Sequence, residues 1–326
     1  MLVFQTLQAH QHTSALRAGI ELKVFTAIAQ GAHTPEELAP VCGASAKGLR
    51  VLCDYLTILG FLTKDKSAYA LTPDAQLFLV EGSPAYMGGM VGFLFNPFVE
   101  KAMASVTDAV RKGGTVLPDE GTVSDDNQVW VDFAHGMAAL TRPAAQFIAD
   151  LLAGSGELKI LDIAAGHGMF GITVAERNPA AEIYALDWKN VLAVAQSNAT
   201  KFGVAVRWHA IEGSAFTEDY GEGYDAVLVT NFIHHFDEPT NVALFEKVRA
   251  ALKPGGKMAV LEMAVNEDRI SPPMPAMFAM TMLTTTPAGD AFSLGEIERM
   301  CTGAGLKDVV HHAVPGTGQT VTIAVN

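Results

Sequence analysis

The chain holds 326 residues, 49% of them hydrophobic and 17% charged, with a formal net charge of −13. Length and composition allow one large or two modest domains with a sizeable core and exclude a disordered chain. The acidic balance argues against a nonspecific binder of nucleic acid or anionic membrane, and no apolar run is long enough to span a bilayer. In chain order, Leu16 to Ala29 carries apolar residues at helical spacing (Leu16, Ile20, Val24, Phe25, Ile28), and Gly31 closes that helix. Thr34-Pro35-Glu36-Glu37 starts the next, with Thr34 as N-cap, Pro35 at the first helical position and acids in the first turn. Ser45 caps a third, whose Leu49, Leu52, Leu56 and Leu59 line one face up to Gly60. Phe61 to Thr63 and Ala68 to Leu71, split by Lys64-Asp65-Lys66-Ser67, predict a β-wing. Helix–turn–helix–wing is a DNA-binding outline, but the presumed recognition helix offers only Lys47 and Arg50, with Asp54 set against them. Residues 1–100 carry six Lys/Arg against eight Asp/Glu, so the basic face that phosphate binding requires is missing.

Residues 84 to 150 read as linking helices, with an exposed loop marked by Gly113-Gly114 and Asp119 to Asn127. Phe93, Phe95, Phe98, Trp130, Phe133, Met137 and Phe147 are their aromatic and methionine positions, suited to packing an interdomain core. From residue 158 onward strand and helix alternate. The apolar run ending Ile160-Leu161-Asp162-Ile163 enters a glycine turn, and a helix follows to Pro179. A strand, Ala181 to Leu186, ends in Asp187, and a helix spans Val191 to Phe202. A further strand is expected over Ala205 to Ala210, and a buried central one over Tyr224 to Thr230. The helix Thr240 to Leu252 and the turn Lys253-Pro254-Gly255-Gly256 lead into a strand from Lys257 to Met263. Val309 to Ala313 and Thr320 to Val325 close the chain as two strands joined by a turn. Spacing and composition predict the α/β class with a doubly wound sheet.

Gly166, Gly168 and Gly171 satisfy G-x-G-x-x-G, a turn whose backbone approaches a ligand without a Cβ in the way and ends on free helix N–H donors. Asp162 lies inside the strand end, where a nicotinamide fold keeps apolar residues. Asp187, after the second strand, can accept hydrogen bonds from both hydroxyls of a ribose. Beyond the central strand stands Asn231-Phe232-Ile233-His234-His235-Phe236-Asp237, at the strand end where α/β sheets bind ligands. Histidine titrates near neutrality and can take a proton from a hydroxyl, thiol or ammonium group. The pairs His10/His12, His234/His235 and His311/His312 lack convergent Cys or acid spacing, so no metal is expected. Cys42, Cys53 and Cys301 form no C-x-x-C pair and no even disulfide framework, and the N-terminus does not read as a signal peptide. A cytoplasmic protein is expected.

The stretch from Ile160 to Asp187 resembles the class I S-adenosylmethionine-dependent methyltransferases. With the later motifs added, nearly the whole chain is similar to O-methyltransferases that carry an N-terminal winged-helix dimerisation domain. These include plant phenolic, bacterial antibiotic-tailoring and hydroxyindole enzymes of secondary metabolism. The resemblance implies a Rossmann-like methyltransferase sheet with its last strand reversed, behind a mainly helical winged-helix domain. It implies a dimerisation domain over 1–100, linking helices over 101–145 and a catalytic domain over 146–326, working as a homodimer on a small-molecule acceptor. It assigns S-adenosylmethionine, leaving as S-adenosylhomocysteine, to Asp162, Gly166, Gly168, Asp187, Trp188, Ser214, Phe216 and Asn231. Ile233 to Asp237 aligns with the family's Leu-His-Asp-Trp-Asp type segment, which places the base on His234 and gives it Glu262 as partner. Three departures stand out: His235 where the family carries Asp, Ser214 where it carries an acid, and Asn231 where plant members often carry Lys. A second orienting acid falls about at Ala291, with Asp290 only adjacent, so a one-acid dyad is expected.

The acceptor wall is assigned to Phe95, Trp130, Phe133, Met137, Met277 and Phe278. The Met-rich stretch Met274 to Met282 suits a flat aromatic substrate or, read plainly, a core helix. The expected reaction is methyl transfer to a hydroxyl of a small aromatic metabolite. Alternatives left open are an N-, S- or C-methyltransferase, a nicotinamide oxidoreductase, and a ligand-sensing DNA-binding regulator.

Overall fold

The computed structural model of the protein describes residues 2–124, 128–138 and 140–326. Contacts divide the chain into two compact units, 1–92 and 93–326. In the first, α1 (Leu2–Glu21) and α2 (Val24–Ala29) replace the single helix expected over Leu16 to Ala29. Lys23 adopts a left-handed φ of 56° between them. The turn redirects the chain so that Val24, Phe25, Ala27 and Ile28 all enter the core, which one straight helix would not allow. In α3 (Pro35–Cys42), the Thr34 side chain accepts from the Glu37 N–H while Glu37 returns a bond to the cap, a capping box. Ser45 caps α4 (Ala46–Ile58) through the Gly48 N–H. The wing is an antiparallel pair, β1 (Leu62–Asp65) on β2 (Ala68–Leu71), followed by α5 (Pro73–Phe78). Leu38, Leu49, Leu56, Leu62 and Tyr69 form the core of this unit. By contrast, Leu2, Val3, Phe4 and Leu7 of α1 are exposed.

The chain passes into the second unit within α6 (Met90–Leu94) and continues through α7 (Pro97–Ala104) and α8 (Val106–Lys112). The exposed loop expected from Gly113-Gly114 and Asp119 to Asn127 is exposed only in part: Gly113, Asp119 and Glu120 face solvent, whereas Gly114, Thr115, Gly121 and Thr122 are buried. The Thr115 N–H donates to the Thr286 carbonyl at 2.8 Å, and the Thr122 hydroxyl to the Thr285 carbonyl at 3.1 Å. Gly114 and Gly121 are required here, because a Cβ would meet the Pro287 and Thr285 carbonyl oxygens at 2.2 and 2.1 Å. The buried positions are those whose polar groups find partners at the end of the helix Pro273–Thr285. Asp125, Asp126 and Asn127, the end of that expected loop, lie outside the described residues. The helices α9 (Gln128–Met137) and α10 (Arg142–Leu152) lead to the sheet.

The sheet comprises β3 (Leu158–Ile163), β4 (Ala181–Asp187), β5 (Trp208–Glu212), β6 (Tyr224–Thr230), β7 (Leu252–Glu262), β8 (Lys307–Ala313) and β9 (Thr320–Val325), in the order β5-β4-β3-β6-β7-β9-β8. The first five run parallel, while β9 runs antiparallel to both neighbours. This is the reversed strand that the resemblance implied. Between the strands lie α11 (Met169–Arg177), α12 (Lys189–Lys201), α13 (Glu238–Ala251), α14 (Pro273–Thr285) and α15 (Leu294–Gly303). Alternate strand residues point to opposite faces. Ile160 joins Ile148, Ile172 and Leu192 of α10, α11 and α12, whereas Leu161 and Ile163 join Leu244, Phe245 and Ile297 of α13 and α15. The strand expected at Ala205 begins later, at Trp208, after a 3-10 turn over Ala205–Arg207. Arg207 explains the delay: its guanidinium donates to the carbonyls of Ala175, Asn178 and Ala181, which holds this stretch in a turn.

Candidate active site

The crevice at the carboxyl ends of the parallel strands begins with the glycine turn. Asp162, fully buried in β3, accepts from the Gly171 N–H at 3.0 Å through Oδ2. Its Oδ1 is buried without a hydrogen-bond partner. Asp187, ending β4, accepts from Gly166 N–H at 2.8 Å and Trp188 N–H at 2.7 Å, fixing the turn against the next strand. Burial pushes the Asp187 carboxyl up to about 6. Asp162 is pushed to about 7, by burial first and also by the charge of Asp187, against the Gly171 bond. Gly168 opens α11 at φ 74°. A Cβ at Gly171 would lie 2.6 Å from Ile183 and 3.0 Å from Asp162 Oδ2, so the third glycine serves helix–strand packing. A buried and a half-buried carboxylate, the first with an unfilled acceptor atom, beside open backbone, suit a cationic ligand carrying hydroxyl donors.

Across the crevice, β6 is followed by Asn231, whose φ of 51° is left-handed. Its backbone N–H donates to the Leu261 carbonyl, and its Oδ1 accepts from Gln319 Nε2 at 2.8 Å. The next turn, Ile233–His235, carries two buried histidines. His234 Nδ1 lies 2.8 Å from Glu262 Oε2, with the two side chains only 8% and 6% exposed. A carboxylate at Nδ1 holds the proton there and leaves Nε2 as an acceptor. The backbone of this turn is gripped from outside: the Asp290 N–H donates to the His234 carbonyl at 3.0 Å. The Asp290 carboxylate instead accepts from the Ala291 N–H and lies 3.9 Å from Arg269. Among the described residues His234 therefore has one acid partner, Glu262.

Aromatic rings surround this dyad. Phe278 of α14 meets the His234 ring edge-on at 4.9 Å. Trp130 lies edge-on to His235 at 5.0 Å and to Phe133 at 5.8 Å, and Phe133 stacks on His167 at 6.3 Å. Met137, at the end of α9, is half-buried, as is Phe95 between α6 and α7. Met277 is not brought to this cluster: it is 73% exposed, while Phe278 beside it faces His234. Adjacent residues on a helix point in different directions. Of the other residues expected to meet a cofactor, Phe216 packs on Phe236 and Phe232, Trp188 packs with Trp130 around Val191 and Val194, and the Ser214 hydroxyl accepts from the Phe216 N–H. Among the described residues, no three His, Cys, Asp or Glu side chains converge to hold a metal ion.

Sequence reasoning missed His167. It is buried inside the glycine turn, accepts from the Met169 N–H at Nδ1, and donates from Nε2 to the Thr141 hydroxyl at 3.1 Å. Burial holds its pKa down at about 4, so it is a neutral strut between the turn and α10. A histidine among glycines was the available signal. Gln319, which orients Asn231 from 88 positions away, carried none.

A model of the O-methyltransferase domain matches residues 121–307, and one of the O-methyltransferase dimerisation domain matches residues 4–81. The chain is 27% identical to 3-hydroxy-5-methyl-1-naphthoate 3-O-methyltransferase of Streptomyces sahachiroi, over 95% of this chain and 90% of that protein. It is 24% identical to the tetracenomycin polyketide synthesis 8-O-methyl transferase of Streptomyces glaucescens, over 96% and 93%. Among solved structures, a candidate O-methyltransferase from Nostoc punctiforme superposes with a TM-score of 0.97 at 46% identity, covering 100% of this chain and 98% of that one. Human N-acetylserotonin methyltransferase, solved with S-adenosylmethionine, shares the fold with a TM-score of 0.87 at 21% identity, over 100% and 96%.

Proposed function

The chain belongs to the O-methyltransferase family, and on that premise we propose that it methylates a hydroxyl of a small aromatic metabolite, with His234 as general base and Glu262 as its partner. The observation that carries this reading is the buried His234–Glu262 pair at 2.8 Å, at the carboxyl end of β6 and ringed by aromatic side chains. S-adenosylmethionine supplies the activated methyl group. Asp187 takes its ribose hydroxyls, while Asp162 and the turn from Gly166 to Gly168 hold its amino-acid end. Trp188, Ser214, Phe216 and Asn231 line the remainder of its site. His234 Nε2 removes the hydroxyl proton, and Glu262 stabilises the imidazolium so formed. Phe95, Trp130, Phe133, Met137 and Phe278 hold a flat acceptor and exclude water, which leaves alignment and deprotonation as the protein's main tasks. Met277 reaches an acceptor only if a second copy closes over its exposed face.

Two copies pair through the N-terminal domain, here assigned to 1–100, with 101–145 linking it to chemistry in 146–326. The exposed apolar Leu2, Val3, Phe4 and Leu7 of α1 support pairing, since a lone chain leaves them in water. The cysteines are unpaired, as suits a cytoplasmic enzyme of secondary metabolism. Calorimetry with S-adenosylmethionine, S-adenosylhomocysteine and NAD, beside Asp187→Ala, tests the cofactor assignment. Binding of the first two that is lost in the variant supports it; binding of NAD alone refutes it. Activity surviving His234→Ala would move the assignment to an N-, S- or C-methyltransferase.

A further inference from the structure

His235 is the polar group of this site that the reaction as described does not use. Its imidazole lies 4.3 Å, centroid to centroid, from that of the base, and the edges of Trp130, Phe232 and Phe236 surround it. The side chain is buried, and Nδ1 has no hydrogen-bond partner. An unfilled polar atom in an aromatic cage costs about 1–3 kcal/mol, a cost that a bound partner relieves. The neighbouring indole cannot serve, because Trp130 Nε1 already donates to the Thr122 carbonyl at 2.8 Å.

We infer that His235 is a specificity-determining residue, which hydrogen-bonds a carbonyl oxygen placed next to the methylated hydroxyl on the aromatic acceptor. This deepens the assignment of His234 as base and rests on it. The hydroxyl gives its proton to His234, so the imidazole beside it meets whatever the ring carries on the adjoining carbon. Burial first, and the adjacent His234 second, hold the His235 pKa well below the usual histidine range. It stays neutral while His234 is charged, and a neutral imidazole offers one N–H donor without competing for the proton. A carbonyl oxygen, which only accepts, matches that donor. The donation also draws electron density from the ring as the oxyanion forms.

The test titrates the full-length protein, saturated with S-adenosylhomocysteine, with ortho-hydroxyacetophenone and para-hydroxyacetophenone. Initial rates of methyl transfer to each follow, with S-adenosylmethionine as donor. The isomers share composition, and only the ortho form places its carbonyl within reach of both histidines. The ortho hydroxyl also donates to its own carbonyl and is the weaker acid, so each variant is read as its ortho-to-para ratio against that of wild type. That ratio, in affinity and in kcat/KM, is expected to be about tenfold higher in wild type than in His235→Phe, the value of one buried hydrogen bond. His235→Asn, which keeps a donor, should restore part of the ratio, and His235→Asp, which offers only acceptor oxygens, should lower it further. The inference is overturned if wild type and His235→Phe give the same ratio, or if neither isomer binds to protein that holds S-adenosylhomocysteine. It is equally overturned if His235→Asp keeps the wild-type ratio. Absence of S-adenosylhomocysteine binding would instead overturn the methyltransferase assignment beneath it.

Discussion

Replacing Glu262 by Gln probes the dyad with little change in shape. In the folded protein Glu262 Oε2 lies 2.8 Å from His234 Nδ1, and both side chains are nearly shielded from water. The amide oxygen of Gln can still accept the Nδ1 proton, so ring orientation is kept. What disappears is the negative charge beside the imidazolium that forms as the hydroxyl loses its proton. A charge-assisted hydrogen bond contributes about 1.5–3 kcal/mol, and its loss in the transition state alone lowers kcat roughly 10- to 150-fold. S-adenosylhomocysteine affinity should not move, because Glu262 stands on the acceptor side of the crevice. The assay is labelled methyl transfer to a phenolic acceptor at saturating S-adenosylmethionine, with calorimetry on the same preparation. His234→Ala sets the floor, about 10²- to 10⁴-fold below wild type for a lost general base. Should Glu262→Gln retain more than half of the wild-type kcat with cofactor binding intact, the carboxylate does not support the base and the dyad is refuted.

Asp187 should make cofactor binding depend on pH. Its carboxyl, raised by burial to about 6, must ionise to accept the ribose hydroxyls. Affinity is therefore expected to rise about tenfold or more from pH 5 to pH 7, with the rise reduced in Asp187→Asn to the part owed to Asp162, read by calorimetry. The same shift has the opposite sign for stability. Asp162 and Asp187 hold more protons folded than unfolded and lower stability as pH rises from about 4 to about 7, whereas the buried His167 and His235, held below the usual histidine range, act in the opposite direction over that window. The Asp187 contribution is therefore read as a difference: ligand-free Asp187→Asn should gain melting temperature relative to wild type as pH rises from about 4 to about 7, and parallel curves would contradict the burial argument. Gly289→Ala places a Cβ 2.3 Å from the His234 carbonyl oxygen. Overpacking of this kind costs roughly 1–3 kcal/mol, and kcat should fall while S-adenosylhomocysteine binding holds. Ser293→Ala removes the buried cap of α15, where the Ser293 side chain accepts from the Glu296 N–H. A loss of about 1 kcal/mol in denaturant unfolding is expected, with activity retained.

What is local was legible in the sequence. Thr34 and Ser45 cap helices because a short side-chain oxygen reaches the next turn's N–H groups, and the glycines from Gly166 to Gly171 mark a turn because they tolerate left-handed φ and close contact. The alternation of strands and helices predicted the sheet, and Asp162, Asp187 and His234 fell at strand ends where such sheets bind ligands. Resemblance, not spacing, paired His234 with Glu262, 28 positions apart. Tertiary structure alone decided the remainder, because it depends on which surfaces meet. Lys23 breaks a helix whose apolar period runs on unbroken, since packing rewards a change of direction there. Gly114 and Gly121 sit in a stretch of turn residues that is partly buried because the end of α14 supplies hydrogen-bond partners from far along the chain. Met277 and Phe278 are neighbours of similar hydropathy, and only helix orientation turns one to solvent and the other to the base. In the sequence His235 is only a departure from the family's Asp; in the fold four rings close around it. Its unfilled nitrogen is a property of that enclosure, which no local pattern encodes.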